Sequence, residues 1–335
     1  MSTKDARMHQ STLATEAPSF SLDREFVREF CHDVLEVDGQ LQSLGDTKNA
    51  GVLEHLSCQF RSRFSDTVVD IETQIAHKAC GIAVVDVPSV YEDVTDDAIA
   101  GALVSIAATS ALIKPSKDIE NLTPFTMFSA SCESSRALRK AGLPDISPTD
   151  ILDFHSDGLI CGKSLGVPRY IAIYNTFINY RKCGFFYWVP TSSIEALPEH
   201  LARIGLDDDF TFELTPAVYG ETGSKIDRIV ERRVRTAIFR KDVDGSIVTF
   251  MNGKFTGKDG ADADFTWPLK AFQNSIAKNP FRYAVEQRSR RLIILNNSSG
   301  FHARDIFEDP VEGHEETRNY LRSVSAEAFH TGHLL

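Results

Sequence analysis

The sequence predicts an α+β chain with a mainly β core, and three observations predict it. Apolar residues recur near helical spacing through the first third. From about residue 125 the chain breaks into short β-like runs punctuated by turn signals. No regular βαβ alternation appears. Many short strands between turns point to a sandwich or barrel rather than a parallel sheet. Composition agrees: 335 residues, 42% hydrophobic and 25% charged, supply a globular core and exclude a disordered or collagen-like chain.

The elements follow in order. Residues 1–18 read as a flexible polar tail, with no apolar run of the kind a secretory signal needs. Residues 22–44 carry Phe26, Phe30, Val34 and Leu41 near helical spacing, and Gly45 supplies a stop. A second helix is expected over 50–63. The run from Gly81 to Pro88 reads as a strand ended by proline. The apolar stretch from Ala98 to Ile113 is interrupted by Gly101, Ser105, Thr109 and Ser110. It falls short of the roughly 20 residues that span a bilayer, so a buried helix is expected and no membrane partner. Strands are expected at 169–174, 184–189, 210–214, 234–240, 246–251 and 292–296. Asp242-Val-Asp-Gly245 is a hairpin turn signal between two of them. Helices at about 192–204 and 267–278 interrupt the series. The chain thus divides into the tail and one domain over 19–335, helical over about 19–78, with a β core and insertions over about 79–330.

Charge and cysteine usage narrow the function classes. Lys plus Arg number 36 against 47 acidic residues, a net charge of −11, and no basic groove is apparent. Nucleic acid is therefore excluded as a partner, and a small-molecule substrate is expected. Six cysteines are scattered without a CxxC pair, as in a reduced cytoplasmic protein. The sequence does not determine an oligomeric state.

Three motif matches fail on context. Gly162-Lys-Ser164-Leu-Gly166 matches a hydrolase nucleophile elbow, but that elbow needs a helix after the serine, and Val167-Pro168 and a β-like run follow. A loop between strands is the expectation. Gly158 to Ser164 resembles a phosphate-binding loop but is one residue short between its glycines. His314-Glu315 begins a zinc-protease pattern that Arg318 breaks.

His155-Ser156-Asp157 survives. In extended chain, residues i and i+2 point the same way, so one imidazole and one carboxylate can take adjacent positions on a metal. A distant histidine would complete a two-histidine, one-carboxylate face suited to iron(II). The triplet alone is weak: about 1.4 such triplets are expected by chance from 10 histidines and 47 acids. The candidate second histidine is His302, where the apolar run Arg291–Leu295 leads through a polar turn to His302-Ala-Arg304. Beyond it, Arg318-Asn-Tyr-Leu-Arg322 alternates, so both arginines share a face if the segment is a strand. A guanidinium there can grip a carboxylate bidentately.

This ordered combination resembles the Fe(II)/2-oxoglutarate-dependent oxygenases, in the clavaminate synthase-like and taurine dioxygenase-like branch. About residues 80–325 follow the family's order of elements. The resemblance implies a double-stranded β-helix (jelly roll, cupin-like) with flanking helices. It implies His155, Asp157 and His302 as iron ligands and Arg318 on the distal carboxylate of 2-oxoglutarate, with Arg322 nearby and within reach of substrate. It further implies a dioxygenase that consumes O2 and 2-oxoglutarate, releases succinate and CO2, and hydroxylates an unactivated C–H bond. Related halogenases have a small residue where Asp157 stands, so halogenation is disfavoured. A threonine that often gives a second 2-oxoglutarate contact is replaced here by Phe186 or Tyr187, with Thr176 and Thr191 on either side.

By the same resemblance the substrate is a small polar metabolite such as an amino acid or derivative. The basic cluster Lys225, Arg228, Arg232, Arg233, Arg235, Arg240 and Lys241 reads as a solvated, salt-bridged face, the alternative being a lid that recruits an anion. Residues Ser129–Arg136 are candidates for polar substrate contacts or for a helix start. The competing functions are a non-catalytic jelly-roll binding protein and a serine hydrolase using Ser164.

Overall fold

The computed structural model describes residues 14–34, 44–117, 123–131, 151–206, 210–214, 217–219, 228–258, 266–312 and 317–335. Three of its helices begin at a short polar side chain that caps them. The Asp23 carboxylate accepts from the amides of Glu25 and Phe26 at the start of Arg24–His32 (α1). Asn49 caps Ala50–Arg63 (α2) in the same way. Ser65–Ala76 (α3) follows directly. Asp93 caps Val94–Ile113 (α4), accepting from Thr95 and Asp96. The helix expected over 22–44 is described only as far as α1 and its end, because residues 35–43 lie outside the described residues. Helix α4 is long and apolar enough to cross a membrane by length and composition. Leu103, Val104, Ile106, Ala107 and Ala111 are nevertheless buried in a cluster shared with α1–α3 and the adjoining strands.

The strands in chain order are Ala14–Glu16 (β1), Ser19–Ser21 (β2), Ile82–Asp86 (β3), Thr126–Ser131 (β4), Leu152–His155 (β5), Leu159–Cys161 (β6), Ser164–Pro168 (β7) and Ile171–Ile178 (β8). Tyr180–Lys182 (β9), Phe185–Pro190 (β10), Phe210–Glu213 (β11), Ala217–Tyr219 (β12), Arg228–Val230 (β13), Arg233–Thr236 (β14), Phe239–Lys241 (β15), Ile247–Thr249 (β16) and Lys254–Lys258 (β17) continue the series. Arg282–Glu286 (β18), Arg291–Leu295 (β19), Gly300–Arg304 (β20), Glu308–Pro310 (β21), Thr317–Val324 (β22) and Ala328–Leu334 (β23) complete it. Leu197–Ile204 (α5) and Thr266–Ala277 (α6) are the interrupting helices. The expected turn closes the hairpin β15–β16, with the Gly245 amide on the Asp242 carbonyl at 2.9 Å.

The tail over 1–18 needs correction. Strand β1 pairs in parallel with β18, and β2 pairs in parallel with β3. The polar segment Ala14–Ser21 shows no local strand pattern because its partners lie far along the chain. Residues 1–13 lie outside the described residues.

One five-stranded sheet runs β1-β18-β10-β20-β5 and one six-stranded sheet runs β2-β3-β19-β8-β22-β4. Ile82, Val84, Ile171, Ile173, Phe186, Trp188, Val285, Ile293 and Leu295 come from both sheets and form one buried cluster. The opposite face of the six-stranded sheet packs on the helices, through Ala83, Val85, Ala172, Tyr174, Leu292 and Ile294. This is the period-2 alternation of strands covered on both faces. The other six-stranded sheet, β17-β11-β14-β23-β7-β6, shares a third cluster with α5 and α6. At the start of β20, Gly300 lies so close to β10 that a β-carbon there would sit 2.5 Å from Trp188. Glycine is required for that approach.

Candidate metal centre

The two histidines meet because two strands pair. Strand β20 lies antiparallel to β5 with His302 directly opposite His155, and their ring centroids are 4.1 Å apart. Two residues beyond His155, as β5 ends, Asp157 brings a carboxylate oxygen 3.7 Å from His155 Nε2. One ligand atom from each of His155, Asp157 and His302 lies within 4.8 Å of the others. The sequence-predicted face is therefore assembled.

Neighbouring groups orient each donor. His155 Nδ1 lies 2.8 Å from the Asp153 carbonyl. A carbonyl only accepts, so Nδ1 carries the proton and Nε2 keeps its lone pair for a metal. His302 is almost fully buried and stacks on Phe186 at 5.6 Å. Burial, reinforced by the neighbouring His155, pushes its imidazole down to about 3, with Asp157 acting the other way. His302 is thus neutral at working pH, the form a metal requires. Its Nδ1 is buried without a hydrogen-bond partner among the described residues. For Asp157, burial raises the carboxyl, but Arg322, His302 and His155 outweigh it and hold it well below the usual carboxylate range. Arg322 donates from both Nε (3.0 Å) and Nη2 (2.6 Å) to one oxygen, Oδ2. The oxygen nearer His155 is Oδ1. Arg322 is thus placed on the acidic ligand, whereas the expectation put it beside the cosubstrate and within reach of substrate.

The main chain of the triplet is clamped from two sides. Ser156 exchanges hydrogen bonds with Met251, and Asn252 donates to the Ser156 carbonyl. Asn297, fully buried, accepts from the Asp157 amide at 2.8 Å and donates to the Asp157 carbonyl at 2.9 Å and the Pro168 carbonyl at 3.0 Å. Sequence reasoning missed Asn297; its one signal was an Asn-Asn pair at the end of an apolar strand.

Arg318 occupies a second buried position. It is buried on β22, its guanidinium 4.2 Å from the Tyr320 ring and 5.3 Å from the Phe307 ring. Its Nε and Nη2 both donate to Asn175 Oδ1, at 3.2 and 2.9 Å. Burial and the nearby Arg304 cation push it down to about 9, still charged at neutral pH. Among the described residues no carboxylate pairs with it. A buried cation held by a neutral amide beside a second buried arginine is a site that would accept an anion. Sequence reasoning did not single out Asn175 or Phe307, and it noted Arg304 only as part of the HxR.

The remaining candidates are dispersed. Phe186 faces His302, the Tyr187 hydroxyl donates to Asp305, and the Thr176 hydroxyl is committed to the Asn319 carbonyl. The Thr191 hydroxyl pairs with that of Thr249. Ser164 opens strand β7 after a left-handed turn at Gly162, and β7 continues as strand through Pro168, so no nucleophile elbow forms. Arg233 and Arg235 lie on β14, Lys241 and Arg240 on β15, and Arg232 between strands. Arg228 opens β13. Lys225, Cys132 to Arg136 and His314-Glu315 lie outside the described residues.

No protein-family model matches the chain, and no curated protein matches its sequence. Solved structures do share its fold. An asparagine oxygenase in complex with Fe(II), (2S,3S)-3-hydroxyasparagine and succinate superposes with a TM-score of 0.62 at 12% identity, over 92% of this chain and 93% of that one. The non-heme iron oxygenase OrfP, with Fe, succinate and (3S)-hydroxy-L-Arg, gives 0.63 at 12% identity, over 92% and 94%. OrfP with Fe and alpha-ketoglutaric acid gives 0.61 at 11% identity, over 92% and 94%.

Proposed function

We propose that the chain is an Fe(II)- and 2-oxoglutarate-dependent oxygenase that hydroxylates a C–H bond of a small polar metabolite, with an amino acid or derivative as the substrate class. The carrying observation is the cross-strand pair His155–His302 completed by Asp157, with the buried Arg318 on β22, the strand whose Arg322 holds Asp157. Two imidazole nitrogens and one carboxylate brought together are the donor set suited to iron(II). The unpartnered Nδ1 of His302 and the anion-accepting surroundings of Arg318 both suit the pair of cofactors. The structures of like fold contain iron with succinate or alpha-ketoglutarate and hydroxylated asparagine or arginine, which supports the amino acid class.

When bound, iron and 2-oxoglutarate supply the oxidising power from O2, with succinate and CO2 as co-products. The protein's own work is geometric. His155, Asp157 and His302 would hold the metal, and Arg322 and Asn297 keep Asp157 in place. Arg318 would anchor the distal carboxylate of 2-oxoglutarate. The presence of Asp157 argues for hydroxylation over halogenation. The apolar cluster of Phe186, Trp188 and Ile173 backs the site and keeps water from its inner side. We read the two facing sheets as a double-stranded β-helix and residues 19–335 as one domain, joined by the ordered strand β1. The described cysteines are free thiols, which suits a reducing cytoplasm.

Anaerobic addition of Fe(II) and 2-oxoglutarate tests this reading. A weak visible metal-to-ligand charge-transfer band is expected in the wild type. It should vanish in His302→Ala and require far more 2-oxoglutarate in Arg318→Ala. Bound metal without any 2-oxoglutarate-dependent band would instead favour a binding protein of the same fold.

A further inference from the structure

Resting on that reading, we infer that Asn175 is a direct ligand of the cosubstrate, its side-chain amide donating to the distal carboxylate beside Arg318. The amide's orientation follows from chemistry. A guanidinium only donates, so the atom facing Arg318 Nε and Nη2 must be the Asn175 oxygen. The Nδ2 group therefore points away from Arg318's donors. Asn175 is fully buried, and Nδ2 has no hydrogen-bond partner among the described residues. Buried amide donors are nearly always satisfied, and one left open beside a buried cation is poised for an acceptor with negative charge.

The strand register explains the placement. Asn175 lies on β8 opposite Tyr320 of β22 and Arg291 of β19. Its strand neighbours Ile171 and Ile173 belong to the cluster between the sheets, so by alternation Asn175 faces the same interior. Because Nε and Nη2 of Arg318 are engaged by Oδ1, the remaining guanidinium edge and Nδ2 are the donors left to share one carboxylate. The hydroxyl of Thr176, the next residue, is committed to Asn319, so it does not compete for this role.

The test begins with the wild type loaded with iron under nitrogen and titrated with 2-oxoglutarate and, separately, with 2-oxobutanoate, which lacks the distal carboxylate. Asn175→Leu, close to the asparagine in shape, is titrated in parallel. The expected result is a loss of affinity for 2-oxoglutarate of about tenfold or more, with 2-oxobutanoate unchanged. A crystal structure of wild-type protein with zinc and 2-oxoglutarate separates direct contact from support of Arg318, and it decides the matter should Asn175→Leu fail to fold. Nδ2 within hydrogen-bonding distance of a distal carboxylate oxygen supports the inference. An unchanged titration, or a carboxylate seated away from Nδ2, overturns it. Absence of any 2-oxoglutarate response in the wild type overturns the cofactor reading itself and this inference with it, an outcome visible before any variant is made.

Discussion

Asn297 holds Asp157 by both of its main-chain polar groups, its side-chain oxygen on the amide at 2.8 Å and its nitrogen on the carbonyl at 2.9 Å. The asparagine imitates a paired β-strand where the strand has ended. It extends the ladder of β5 by one false partner and so places the carboxylate beside His155. Removing it takes a hydrogen-bond partner from the buried Asp157 amide and from the Asp157 and Pro168 carbonyls. Asn297→Ala is expected to destabilise the protein by about 1–3 kcal/mol. Metal affinity should fall about 10–100-fold, as for other residues that orient ligands. Denaturant unfolding together with a metal titration of the folded variant checks both.

Arg322 puts two donors on Oδ2 of Asp157. The pairing favours the ionised carboxylate, against burial, which opposes it. A lowered carboxyl contributes stability above its unfolded value of about 3.9 and loses it as the pH falls through the folded value. Arg322→Gln is therefore expected to be less stable than the wild type at neutral pH, with the gap closing on acidification below about pH 4. Unfolding curves of both metal-free proteins from pH 7 to pH 3 measure it. A gap that persists unchanged at acid pH would refute the electrostatic role.

His302 titrates well below its ordinary range. Its folded imidazole sits at about 3, chiefly through burial, against an ordinary 6.5. Above pH 6.5 neither state takes a proton there. Below it the unfolded chain does and the folded one does not, so stability drains away as pH falls from 6.5 toward 3, with a limiting slope of about 1.4 kcal/mol per unit. In metal-free His302→Gln that portion of the slope should be missing. Comparing the two slopes of unfolding free energy against pH is the check.

Gly300→Ala tests how the second histidine is aimed. The added methyl would lie 2.5 Å from both Trp188 and the Val189 carbonyl. Either β20 or the indole must move, at a cost of about 1–3 kcal/mol. Since His302 follows two residues later, weakened metal binding is expected alongside the lower melting temperature. Normal metal affinity in a destabilised variant would show that the strand absorbs the shift before reaching His302.

The sequence by itself showed many of the local elements and pointed to the candidate donors, though not the helix Ser65–Ala76. The helix Ala50–Arg63, the buried helix ending at Ile113, the strand Ile82–Asp86, the hairpin at Asp242–Gly245 and the strand Arg291–Leu295 were legible because periodicity and turn chemistry act over a few residues. His155, Asp157, His302 and Arg318 were legible because HxD, HxR and alternating arginines are local patterns. Only the tertiary structure decided which of these groups meet. The pairing of His155 with His302 comes from the register of β5 on β20, and Arg322 reaches Asp157 from β22, a strand of the other sheet. Asn297 and Asn175 act through neighbours more than 100 residues away in sequence, 140 for the Asn297–Asp157 pair and 143 for Asn175–Arg318. A buried asparagine has no periodic signature. Its meaning is set by the unsatisfied polar groups that folding brings to it, and those exist only once the sheets have packed.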